Sequence, residues 1–369
     1  MEISTNERAS ELEIFEVGSC ENGYEFGFLI GQRFSRKIRS RLSKDLILKN
    51  QLLPFAKSKH SRPLLDSLIQ NNQKKYPKYW DELRGTARGS GTSFLEIMLL
   101  NFRKEILPFI SKPEKDPMDD NNDDCSDILV VNYSMAVAAH NEDANVALVG
   151  HTYLIKGIMP NGASFIAYTY AGELPSCAFG FNTCGLAFTL NSVPPSEHEI
   201  EAGAIGRNFI SRDLLAAQSI DDALTRIYSS EASVGHSYNL IDLKTRRIMN
   251  VETASRNRVS VHEIGAVPFF HANMYLHLQV HQAQDENSLS RQKRAALMPK
   301  GSKDDFLSIL GDQNDAKYPI YMTGPLLHTL CTVMIDLDEK TISIIEGNPK
   351  ERKTPFIFPM SCDNKGVPC

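Results

Sequence analysis

Cys125 stands where an acidic, proline-interrupted stretch meets an apolar one, in Asp123-Asp124-Cys125-Ser126-Asp127. Cut before Cys125, the chain would gain an N-terminal residue whose thiol is a nucleophile and whose α-amine is a base. The two groups suit each other: a free α-amine titrates at about 7.7–8.0 and a thiol near about 8.5, so proton exchange is nearly balanced at neutral pH and no histidine is required. A cysteine can equally open a strand with no chemical role, and the local sequence does not separate these readings. The remaining cysteines, Cys20, Cys177, Cys184, Cys331, Cys362 and Cys369, are scattered without a Cys-x-x-Cys pair, the pattern of reduced thiols rather than of a disulfide framework. His271, His277 and His281 invite a metal reading, but a zinc site needs a third ligand, and Gln279, Gln282 and Gln284 supply no good one. They read as structural or surface histidines, and no metal is expected.

The elements that would position Cys125 follow from periodicity. In residues 1–110, Phe26, Ile30, Phe34, Ile38 and Leu42 recur at helical spacing, and further helical stretches cover Pro63 to Gln70 and Ser93 to Leu107. Gly85-Thr-Ala-Arg-Gly89-Ser-Gly91 lacks the ending and the preceding strand of a phosphate loop and reads as a helix break. Residues 111–124, rich in Asp, Asn and Pro, read as an exposed acidic linker. From Cys125 the pattern turns to strands: Ile128 to Val131, Val146 to Ile155, Ser164 to Tyr170, Ser176 to Phe181 and Leu186 to Leu190, with Asn182-Thr-Cys-Gly185 as a hairpin turn. Asn132-Tyr-Ser fits a glycosylation sequon but falls in an expected buried strand. Helices over Arg207 to Gln218 and Ile220 to Tyr228, the second capped by Ser219, precede strands at Ser237 to Leu243, Ile248 to Glu252, Thr332 to Leu337 and Thr341 to Glu346. Helices packed on antiparallel sheets, an α+β class, are the expectation.

The chain has 369 residues, 42% hydrophobic and 23% charged, and 40 Lys+Arg against 45 Asp+Glu give a net charge of −5. Such a balance, with no long basic run, offers no electrostatic footprint for nucleic acid. No apolar run approaches the roughly 18–20 residues that span a bilayer. The polar, acidic first residues are unlike a secretory signal, so a cytoplasmic protein is expected.

Cys125-Ser-Asp, Ala139-His-Asn-Glu-Asp143, Gly180-Phe-Asn-Thr-Cys-Gly-Leu-Ala-Phe-Thr-Leu-Asn191, His271-Ala-Asn273 and Ser290-Arg291, in that order, resemble the motifs of the penicillin acyltransferase family of cysteine N-terminal-nucleophile hydrolases. The resemblance spans nearly the whole chain. It implies a four-layer αββα sandwich over residues 125–369, preceded by a helical pro-segment, 1–110, that stays wrapped against it as the small chain after autocatalytic cleavage of Asp124–Cys125. It implies Cys125 as nucleophile, Asp143 as hydrogen-bond acceptor for its α-amine, and Asn191 and Asn273 as amide N–H donors to the oxyanion. Arg291, rather than Arg294, would sit near the thiolate. The substrate would be a small amide, amine or acyl thioester, with no cofactor beyond a coenzyme A thioester as acyl donor. Two positions depart from the pattern: Asp124 replaces a glycine, and His140 stands where the bile-salt branch carries arginine, which argues against that substrate class. A non-catalytic, uncut binding module on the same fold is the alternative.

Overall fold

Asn22 opens the first helix by accepting the Glu25 N–H at 2.9 Å, and α1 runs over Gly23–Arg33, just after a short strand β1 (Ile14–Val17). The computed structural model describes residues 12–110, 124–159, 162–282, 285–353 and 356–360. All of the expected linker but Asp124, together with Cys362 and Cys369, lies outside the described residues. Six further helices complete the N-terminal part: α2 (Ser35–Lys44), α3 (Leu53–Lys57), α4 (Arg62–Lys75), α5 (Pro77–Ser90), α6 (Phe94–Asn101) and α7 (Arg103–Ile106).

The expected helix break over Gly85 to Gly91 is corrected. Helix α5 continues through Ser90, and only Gly91, in the left-handed region at φ +68°, ends it. Gly85 and Gly89 serve another purpose. They face Gly23, Gly27 and Gly31 of α1 so closely that a Cβ on Gly27 would lie 1.9 Å from the Glu82 carbonyl oxygen, and one on Gly89 2.1 Å from that of Phe28. The two helices touch backbone to backbone.

The strands follow as β2 (Cys125–Val131), β3 (Ala136–Asn145), β4 (Thr152–Ile158), β5 (Ser164–Tyr170), β6 (Phe179–Asn182) and β7 (Leu186–Ser192). The β6–β7 hairpin turns where expected: Asn182 Oδ1 accepts the Cys184 and Leu186 N–H groups, and Gly185 takes φ +89°. Asn132 to Ser134 is a turn with Tyr133 fully exposed, not buried strand. After α8 (Arg207–Leu214) and α9 (Ile220–Tyr228) come β8 (His236–Asp242), β9 (Arg247–Ala254), β10 (Arg258–Glu263) and β11 (Phe269–His271). Helices α10 (Glu286–Ala296) and α11 (Lys303–Leu310) precede β12 (Leu327–Asp336), β13 (Thr341–Ile345) and β14 (Phe356–Pro359).

Among the described residues these strands form two sheets, one ordered β1-β4-β5-β6-β7-β8-β9-β10 and the other β11-β2-β3-β12-β13-β14. Every pairing is antiparallel except β1 with β4. Leu129, Ala138 and Val333 of the second sheet pack between the sheets against Tyr168, Phe179 and Ile241 of the first. Ile128, Val130 and Ala139 turn the other way, onto Phe306 and Ile309 of α11. The outer face of the first sheet is covered by the N-terminal helices and by α8 and α9, with Ile38, Leu83 and Phe102 joining Phe188 and Phe209 in one core. The result is an αββα sandwich. Residues before Cys125 contribute to it as well, supplying part of one outer helical layer and the edge strand β1. No helix among the described residues is long and apolar enough to cross a membrane.

Gly27→Ala should lower the melting temperature by several degrees, although alanine favours a helix interior by about 1 kcal/mol over glycine. Gly18→Ala, which adds its Cβ to open space, is the control and should leave it unchanged. Thermal unfolding by circular dichroism reads both.

Candidate active site

Along β2 the pleat turns Cys125, Asp127 and Leu129 toward the other sheet and Ser126, Ile128 and Val130 toward the helices. Cys125 lies opposite Glu142 of β3, and Asp127 opposite His140. Cross-strand partners share a face, so the thiol, Glu142, His140 and Asp127 meet between the sheets. Cys125 Sγ is 3.9 Å from Glu142 Oε2. His140 bridges two carboxylates, Nε2 at 3.0 Å from Glu142 Oε2 and Nδ1 at 2.8 Å from Asp127 Oδ1. Tyr170 donates its hydroxyl to Glu142 Oε1. Burial alone would keep His140 neutral, but Asp127 first, then Cys125 and Glu142, hold its pKa well above the ordinary range, favouring the imidazolium. Burial, and next the Glu142 carboxylate, push the thiol well above the ordinary thiol range.

The facing sheet continues this polar strip. Thr189 of β7 donates to Asp127 Oδ1 at 3.1 Å and accepts from Asn239 Nδ2 at 2.9 Å. Asn191, two residues on, points the same way and is fully buried, and neither atom of its side-chain amide has a hydrogen-bond partner among the described residues. Deeper in, His271 lies between Asp127 Oδ2 at 4.0 Å and Glu252 Oε1 at 3.8 Å. Burial works to raise the Glu252 carboxyl, but His271 and the N–H groups of Leu276, His277 and Leu278 hold it down to about 2.

The backbone of Cys125 is gripped separately. Its N–H donates to Asn273 Oδ1 at 2.8 Å, and Asn273 Nδ2 donates to the Ser192 carbonyl at 2.9 Å, tying Cys125 to the end of β7. Arg291 reaches in from α10, with Nη1 donating to the Cys125 carbonyl at 2.6 Å and to Ser126 Oγ at 2.9 Å, and Nη2 to Asn273 Oδ1 at 2.9 Å. One turn earlier on α10, Asn287 accepts from Arg291 Nε at 2.9 Å and donates to Asp124 Oδ2 at 2.5 Å. Arg294 pairs instead with Asp312, at 2.9 Å.

In the continuous chain the Cys125 nitrogen is an amide and donates to Asn273 Oδ1; the α-amine that Asp143 is expected to hold does not exist in it. Asn273 therefore offers the site its oxygen rather than an N–H, fixed in that orientation by two donors on Oδ1 and a carbonyl acceptor on Nδ2. Arg291 holds the carbonyl side of Cys125, while the sulfur faces Glu142. The pleat is the reason: Asp143 follows Glu142 on β3, and its side chain turns to the opposite face, where Thr329 donates to Oδ1. Asp143 Oδ2 is buried with no hydrogen-bond partner among the described residues, and burial pushes the carboxyl up to about 8 against the pull of Thr329.

Glu142, Asn287, Ser126 and Thr329 were not singled out from sequence. A period-two reading of Ala139-His-Asn-Glu-Asp143 as strand would have set His140 and Glu142 on one face. Donor atoms of Cys125, His140 and Glu142 lie within 4.8 Å of one another. They do not suit a metal ion, because both nitrogens of His140 are committed to carboxylates and offer no lone pair. A cavity of about 210 Å³ opens at Ser192 and is walled by Leu107 and Pro108 from the N-terminal part and by Val193, Pro194, Ile200 and Val234.

Residues 131–351 match the family described as acyl-coenzyme A:6-aminopenicillanic acid acyl-transferase. The chain is also 30% identical, over 369 aligned positions covering 91% of it and 94% of the relative, to the β-alanyl-dopamine/carcinine hydrolase of Drosophila melanogaster.

With Asp143 at about 8 when folded and near about 3.9 when unfolded, the native chain holds a proton that the unfolded chain lacks between those values. Its stability therefore falls as pH rises through that window. In a Cys125→Ala chain, adding Asp143→Asn should raise the melting temperature by several degrees at pH 7.5 and leave it nearly unchanged at pH 4. An equal shift at both values would contradict the protonated assignment; calorimetry distinguishes them.

Proposed function

The chain belongs to the acyl-coenzyme A:6-aminopenicillanic acid acyl-transferase family, and we propose that it is an N-terminal-nucleophile amidase that cuts its own Asp124–Cys125 bond and then works through Cys125. It is an enzyme acting on C–N bonds; the finer steps are the proposal. Once cleaved, the Cys125 α-amine takes the thiol proton, and sulfur attacks the carbonyl carbon of an amide. The oxyanion forms beside Asn191, whose N–H donates to it. The departing amine takes the proton, and water resolves the acyl-enzyme.

The observation that carries this reading is the unpartnered Asn191 amide. A buried polar group left without a partner costs about 1–3 kcal/mol, and a developing oxyanion is the acceptor that would satisfy it. Asp143 Oδ2 supports it in the same way, since cleavage at Cys125 creates the ammonium that could occupy it. Arg291 and Asn273 are positioning residues that hold the Cys125 backbone from the side opposite the sulfur.

Amide hydrolysis is favoured over acyl transfer because the relative covering most of this chain is a hydrolase. The substrate class is an N-acyl amide of a small amine, with β-alanyl amides of arylethylamines and imidazolylethylamines first to be tried. No resident cofactor enters these steps; a coenzyme A thioester would be an acyl donor by the same carbonyl chemistry. The nucleophile needs a reduced thiol, which fits a cytoplasmic setting. Residues 12–110 would stay bound as the small chain through their shared core with the first sheet.

Intact mass of the purified protein should show two fragments, the larger beginning with Cys125, and a single uncut chain for Cys125→Ala. Full activity from uncut wild-type protein would overturn the proposal, and an inert uncut chain would favour a binding module. In processed enzyme, Asn191→Ala should lower kcat by about 10²–10³ with a much smaller change in KM.

A further inference from the structure

The proposed α-amine base does not exist until the chain has been cut, yet the cut itself needs a thiolate. This inference rests on the reading of Cys125 as a self-cleaving nucleophile. We infer that Glu142 takes the Cys125 thiol proton in the uncut chain, and that the His140 imidazolium stabilises the thiolate so formed. Three observations carry it. Glu142 Oε2 lies 3.9 Å from Sγ, and the Asp143 backbone carbonyl, the next acceptor at 4.0 Å among the described residues, cannot hold a proton. His140, bonded through both nitrogens to Asp127 and Glu142, has no lone pair with which to act as the base itself. Moving the proton from sulfur to Glu142 also leaves the net charge of the buried cluster unchanged. A thiolate beside a neutral carboxyl and an imidazolium replaces a thiol beside a carboxylate and an imidazolium, so the transfer avoids creating a new buried charge.

The step balances without an oxidant. The S–H bond breaks and its proton passes to Glu142, while sulfur bonds to the Asp124 carbonyl carbon in a five-membered ring. The C–N bond then breaks, and the Cys125 nitrogen takes up the proton, leaving a thioester. Water hydrolyses the thioester to the Asp124 carboxylic acid and the free Cys125 thiol and amine. Burial of the thiol, and Glu142 next to it, explain why the sulfur stays protonated until that transfer. Around Glu142 lie the thiol and Asp127 on β2, His140 on β3, Tyr168 and Tyr170 on β5, Cys177 before β6 and Cys331 on β12.

The test is the first-order rate of fragment formation in full-length chains pulse-labelled during cell-free synthesis. At pH 7, Glu142→Gln should cleave at least about a hundredfold more slowly than wild type. Its rate should climb about tenfold per pH unit from 7 to 9, as hydroxide replaces the missing base, and Glu142→Asp should recover part of it. A wild-type chain that cleaves beside a Glu142→Gln chain that cleaves equally fast overturns this inference alone. So does a slow Glu142→Gln chain whose rate is flat with pH and is not recovered by Glu142→Asp, since that marks a merely structural role. A wild-type chain that never cleaves overturns the proposed function as well.

Discussion

Two β-sheets normally exclude water from the space between them by filling it with hydrocarbon, and here that filling covers only part of the space. The rest holds Cys125, Asp127, His140 and Glu142 from one sheet and Thr189, Asn191, Asn239 and Glu252 from the other, all buried. Unpaired charges there would cost several kcal/mol each, so the strip persists only because its members satisfy one another. Tyr170, Glu142, His140, Asp127 and Thr189 form a continuous chain of hydrogen bonds. That satisfaction is incomplete: Asn191, Asp143 Oδ2, Asp127 Oδ2 and both ring nitrogens of His271 are buried with no hydrogen-bond partner among the described residues.

Cys125 couples the two halves of that arrangement. Its sulfur belongs to the polar strip, whereas its nitrogen and carbonyl are held by Asn273 and Arg291. Asn273 bridges onward to Ser192, so Cys125 and the Asn191 end of β7 cannot drift apart without breaking a hydrogen bond. Asp124 is drawn into the same grip by Asn287. Asp124 is therefore docked on α10, even though its charged side chain is larger than the glycine of the family pattern.

The N-terminal part is as much a layer of the sandwich as a removable segment. Its helices share one core with Phe188 and Phe209, and β1 extends the first sheet. Arg41 adds a buried pair with Glu173 and a hydrogen bond of 2.9 Å to the Ala171 carbonyl. Leu107 and Pro108 of this part wall the cavity at Ser192 together with residues after Cys125. Much of this was legible in the letters: strand β5, helix α9 with its Ser219 cap, and the β6–β7 turn all lie where periodicity and turn chemistry put them. Cys125 was legible as a candidate from its junction. The contacts of Asn273 and Arg291 with the Cys125 backbone were not, because they depend on how α10 and the segment after β11 pack against β2, which no local pattern states. Strand β3 itself was hidden because its second half, His140 to Asn145, is polar on both faces. Glycines at Gly85 and Gly89 look like a break until the partner helix shows what their missing side chains make room for.

The central claim is that Cys125, with its own amine exposed by cleavage, carries the acyl group during turnover. Acid-quenched peptide mapping of enzyme mixed with excess β-alanyl-dopamine tests it directly. The account predicts a β-alanyl mass increment on the peptide whose first residue is Cys125, labile to hydroxylamine. Turnover with the increment on another cysteine, or with Cys125 still joined to Asp124, would contradict it.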